Sequence, residues 1–91
     1  MVQIHVRHTV ADYAKWRPMF DADDARRRAG GATGATHVYR DVDDPNVVTI
    51  FMEWDNASNA RKSMADPALR DVMQKAGVVG QPAVVAILSS A

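Results

Sequence analysis

Polar and apolar residues alternate along Val2-Gln3-Ile4-His5-Val6-Arg7-His8, the two-residue period of a strand buried on one face. Asp12 follows as a candidate N-cap, ahead of Tyr13, Trp16, Met19 and Phe20 at the three- and four-residue spacing of an amphipathic helix. That helix is predicted over 12–29, with a kink or 3₁₀ start near Pro18 and an end at Gly30-Gly31. Two strands, over 35–42 and 47–54, flank the turn Asp43-Asp44-Pro45-Asn46. A second helical region, 56–76, falls into two parts, because Asp66-Pro67 supplies a new cap and a proline at the first helical position. Leu69, Val72, Met73 and Ala76 form its inward stripe, Gly77 fits the position after its end, and a strand over 83–89 closes the chain.

The order βαββαβ predicts an α+β fold, a single ferredoxin-like domain over 1–91. Its four-stranded antiparallel sheet would carry two helices on one face. The last strand, Ala83-Val84-Val85-Ala86-Ile87-Leu88, is apolar on both sides although the topology puts it at a sheet edge. Something is therefore expected to cover its outer side, and a second copy of the chain is the simplest candidate.

Composition narrows the function more by exclusion than by signal. An apolar fraction of 47% suffices for a globular core, and a chain of 91 residues gains stability from self-association. Eleven Lys plus Arg balance eleven Asp plus Glu, so nothing favours an electrostatic nucleic-acid binder. Without cysteine there is no disulfide framework, thiolate nucleophile or Cys-type zinc site. No His-x-His or His-x-x-x-His spacing points to a metal, and no serine sits in a Gly-x-Ser-x-Gly turn. Neither a signal-peptide apolar region nor a bilayer-length run is visible, so a cytoplasmic protein without a membrane partner is expected.

Three histidines carry the candidate chemistry. Gln3, His5 and Arg7 share one face of the first strand; His37, Tyr39 and Asp41 share one of the second; Thr49, Phe51 and Glu53 share one of the third. If these sets point the same way, two imidazoles, a phenol, a guanidinium and a carboxylate meet, a group suited to acid–base work near neutral pH. The competing reading makes His5, Arg7 and Glu53 polar members of a dimer face. His8 reads first as a solvent or capping residue and second as a base, and Tyr13, Trp16 and Phe20 read first as core and second as a pocket wall. The acidic run 21–24 and Arg26-Arg27-Arg28 read as a solvated helix face.

The stretches Val6-Arg7-His8-Thr9-Val10-Ala11-Asp12-Tyr13-Ala14-Lys15-Trp16, Tyr39-Arg40-Asp41-Val42-Asp43-Asp44-Pro45-Asn46 and Met73-Gln74-Lys75-Ala76-Gly77-Val78-Val79-Gly80 resemble small bacterial proteins of the dimeric α+β barrel superfamily. That group includes antibiotic-biosynthesis-monooxygenase-like proteins, polyketide cyclases, muconolactone isomerases and haem-degrading enzymes. The resemblance implies a ferredoxin-like subunit and a homodimer whose sheets face each other. Its haem-degrading branch resembles a pattern of Asn on strand 1, Trp on strand 3 and His on helix 2. Here Trp54 ends the third strand, but the first carries His5 and Arg7 and the second helical region has no histidine, which disfavours haem. The expected function is a cofactor-independent enzyme resembling these monooxygenases, acting on a small aromatic or polyketide-like compound. His5, His37 and Tyr39 would move protons, and Arg7, Trp16, Phe20, Phe51, Glu53 and Trp54 would bind substrate. The alternative is a non-catalytic dimeric module for a small ligand or a partner protein.

Overall fold

The computed structural model describes residues 1–89. In chain order the elements are β1 (Val2–Val10), α1 (Tyr13–Ala22), α2 (Asp24–Gly30), β2 (Ala32–Arg40), β3 (Val47–Trp54), α3 (Ala57–Ala65), α4 (Pro67–Lys75) and β4 (Val78–Ser89). The strands form one antiparallel sheet in the order β2-β3-β1-β4, the α+β ferredoxin-like arrangement that the periodicities predict.

The core lies on the helix side of the two central strands. Ile4, Val6 and Val10 of β1 and Val48, Ile50, Met52 and Trp54 of β3 are buried there, together with Trp16, Ala60 and Ala76 from the helical layer. Strict alternation along β3 buries every second residue. Full burial of side chains this large contributes about 1.5–3 kcal/mol each. The glycine Gly30 lies against the Trp54 ring, where an added Cβ would meet the indole at 3.2 Å. Trp54 is thus packed as core.

Three element boundaries differ from the sequence expectation. The first helical region is two helices, and the break falls at Asp23, not at Pro18. Pro18 removes one donor and α1 continues through it. At Asp23 the backbone turns with ψ near 0°, and its N–H is shared between the carbonyls of Met19 and Phe20 at 3.3 and 3.2 Å. The strand β2 starts at Ala32, three residues earlier than expected, because an irregularity between Ala32 and Thr36 absorbs Gly34 at a φ of 93°. Finally, β4 begins at Val78, not at residue 83. Its register against β1 shifts opposite Arg7–Thr9, and Pro82 is tolerated because the strand has a free edge. The restart of the second helical region stands as expected: Asp66 caps α4 by accepting from the Ala68 N–H at 2.9 Å.

Candidate active site

The strand registers sort the candidate residues onto two sides of the sheet. His5 of β1 and His37 of β2 both pair with Phe51 of β3, so all three project from the face away from the helices. His5 stacks on Phe51 with ring centroids 4.6 Å apart, and Tyr39 meets Phe51 edge-on at 6.2 Å. Arg7 and Glu53 lie on the same face, where Glu53 accepts a hydrogen bond from the Thr33 hydroxyl at 2.9 Å. This outer face is an open aromatic and polar surface; Tyr39 is 56% exposed.

Trp16, Phe20 and Trp54 lie on the opposite side, under the helices. The sheet therefore separates the helix-1 aromatics from the histidine–tyrosine group. They cannot act together on one substrate within a subunit, as the sequence reading required. The physical reason is the pleat: odd-numbered residues of β1 point away from the layer that holds α1.

On the helix side lies a cavity of about 900 Å³, walled by α1, α2 and α4 and floored by β1, β3 and β4. His8 belongs to its lining, as do Val6, Ile50 and Met52. The imidazole is 4% exposed, and neither of its nitrogens finds a hydrogen-bond partner among the described residues. Burial pushes its pKa below the usual 6.5, so the ring is neutral at physiological pH. Trp16 meets it edge-on at 5.6 Å and stacks in turn on Phe20 at 4.8 Å. The guanidinium of Arg27 lies 4.1 Å over Phe20. An imidazole, an indole, a phenyl ring and a guanidinium thus run in sequence along the cavity wall.

Two of these four differ from the sequence expectation: His8, expected first as a solvent or capping residue, is buried, and so is Arg27. The alternation that buries Ile4 and Val6 carries His8 onto the same apolar face two residues on, a signal that was available. Arg27 was expected on a wet helix face, yet it is 7% exposed. The break at Asp23 swings α2 so that Arg27 Nη2 donates to the Phe20 carbonyl at 2.9 Å. Its position seven residues beyond Phe20, two helical turns, was the faint signal.

Similarity to solved structures is extensive in fold and low in sequence. SnoaB, a cofactor-independent oxygenase from Streptomyces nogalater, superposes with a TM-score of 0.74 at 17% identity, covering 99% of this chain and 92% of that one. A structure described as an antibiotic biosynthesis monooxygenase gives 0.71 at 14% identity, over 100% and 99% of the two chains. Rv0793 from Mycobacterium tuberculosis gives 0.69 at 15%, over 99% and 94%. No protein-family model and no curated protein sequence matches the chain. The fold is the α+β ferredoxin-like fold that these structures share. Folds of this kind carry more than one chemistry, so function has to be argued from the cavity.

Proposed function

We propose that the chain is a small cofactor-independent monooxygenase acting, as a homodimer, on an aromatic or polyketide-like compound held in the helix-side cavity. The observation that carries this reading is the buried, neutral and unpartnered His8 imidazole on an aromatic cavity wall. A base without a competing partner is ready to take a proton from an acidic ring C–H or phenol. The resulting carbanion or enolate transfers an electron to O₂, and recombination at carbon forms a peroxide. Loss of water then leaves a carbonyl. For a ring methylene the balance is CH₂ + O₂ → C=O + H₂O, with dioxygen as the oxidant and the proton on His8 returned to the departing oxygen. Trp16 and Phe20 would hold the ring system and exclude water.

In this reading His5, His37 and Tyr39 belong to the contact between subunits. Oxygen uptake with anthrone as the probe tests it. His8→Gln should lower kcat by about 10²-fold, the usual contribution of a general base, while His37→Ala leaves it unchanged. The opposite pattern would move the chemistry to the outer face. Saturable binding of anthrone without oxygen uptake would favour the non-catalytic module.

A further inference from the structure

The edge strand β4 leaves its ladder at one place. Arg7 pairs with Val84 and Thr9 with Val79, so Gly80, Gln81, Pro82 and Ala83 all fall opposite the single residue His8. The residues themselves explain the excursion: Gly80 turns with a φ of 67°, and Pro82 has no N–H to give to β1. Gln81 is thereby carried onto the lining of the helix-side cavity. The rest of the floor is apolar, with Val6, Ile50, Met52 and Val85 prominent, so His8 and Gln81 are its two polar side chains among the described residues. The walls hold charge, but much of it is committed: Arg26 and Arg27 are ion-paired to Asp23, and Arg26 also to Asp66. Arg70, Asp71 and Gln74 stand on the α4 wall.

Taking a proton from a ring C–H conjugated with a carbonyl leaves negative charge on the oxygen of the enolate. In a cavity that excludes water, that oxygen needs a hydrogen-bond donor already in place. We infer that Gln81 is a further catalytic residue: its carboxamide N–H donates to the substrate oxygen that gains charge as His8 takes the proton. The inference rests on the proposed use of the cavity and adds the donor for the developing charge. A primary amide suits the task because it donates without carrying a charge. A carboxylate in its place would pair with His8 and raise its pKa, and a cation would lower it further; the amide leaves the base neutral. Adjacent strands lie about 4.8 Å apart, which puts base and donor on adjoining parts of the floor. In anthrone the acidic methylene and the carbonyl sit at opposite ends of one ring, a separation that adjoining strands span.

Oxygen uptake with anthrone and the pKa of bound 2-naphthol test the assignment, both in the full chain. Gln81→Leu should lower kcat for anthrone by about 10²-fold, the usual loss with one oxyanion donor. Gln74→Leu, which removes the same group from the α4 wall, should leave kcat unchanged. Gln81→Glu should move the titration of the His8 ring protons, followed by NMR without ligand, upward by about one pH unit. The phenolate of 2-naphthol presents a comparable oxygen and needs no O₂. Its bound pKa should lie about one pH unit lower in the wild type than in Gln81→Leu. Wild-type turnover by Gln81→Leu would overturn the inference and leave the oxygenase standing. An unmoved His8 titration in Gln81→Glu would overturn the pairing of base and donor on one floor. Absence of oxygen uptake in the wild type would remove the oxygenase reading; the naphthol pKa would then decide the role of Gln81, equal values in the two chains overturning it. Failure of both probes to bind would remove the cavity reading and the inference together.

Discussion

His8 and Arg27 are titratable groups held where water barely reaches, and in each the cause of the pKa shift is burial first. For His8 the consequence for stability has a definite sign. Its folded pKa is depressed below 6.5, so as pH falls the unfolded chain binds this proton before the folded one does. The stabilisation tied to a neutral His8 is complete above about pH 6.5 and is lost below it, by at most about 1.4 kcal/mol per pH unit. Urea melts at about pH 7.5 and about pH 5.5 should show wild type losing more stability than His8→Gln across that interval, a window above the carboxylate range. Identical losses would mean that His8 is not held neutral by burial. Trp16 and Phe20, treated alike by their spacing, differ in depth: Trp16 is 2% exposed and Phe20 only half-buried. The first anchors the core, and the second is free to face a ligand.

At the scale of elements, the junction between α2 and β2 is held by backbone conformation. Gly31 has a φ of 122°, and its carbonyl accepts a hydrogen bond from the Asp55 N–H at 3.0 Å. A Cβ at this position would come within 2.5 Å of Asp55 Oδ1. Gly80 also has positive φ, at 67°, but an added Cβ there meets nothing within 4 Å. Gly31→Ala should therefore destabilise by more than about 1 kcal/mol, and by more than Gly80→Ala, in equilibrium urea unfolding. Equal effects would show that the Asp55 side chain moves aside freely. Asp23 is the other decisive junction: by ending α1 one turn after Met19 it aims α2, and with it Arg27, at the cavity.

For the whole molecule, one large surface is left without a covering layer. The outer face of β4 presents Val84, Ala86 and Leu88, in register with Arg7, His5 and Gln3, on the same side of the sheet as the Phe51 and Tyr39 rings of β3 and β2. Val85 and Ile87 pair with Val6 and Ile4 on the helix side, so they cannot report on a contact through the outer face. Val85 is nevertheless 51% exposed, because it lines the open cavity. A sheet-to-sheet homodimer should bury upward of about 1,200 Å² in total. Leu88→Asp should shift sedimentation toward monomer at micromolar concentration, since an unpaired buried carboxylate is costly, whereas Val85→Asp should leave assembly intact. A wild-type monomer under the same conditions would rule out the dimer. The described residues include no helix long and apolar enough to cross a membrane.

The element order, the split of the second helical region and the grouping of residues by strand face were all legible in the chain, because they depend on local periods of two and 3.6 and on cap and turn chemistry. His8 was legible too, since the alternation that buries Ile4 and Val6 reaches it. What tertiary structure alone decided was relation: which strand faces meet the helices, and so that His5 and His37 lie across the sheet from Trp16 and Phe20. It also decided the start of β4, where the shelter of β1 outweighs Gly80 and Pro82 as strand breakers. Arg27 shows the limit most clearly. Its local sequence is that of a solvated charged face, and only the turn at Asp23 makes it a buried cation on a cavity wall, ion-paired to Asp23 and Asp24.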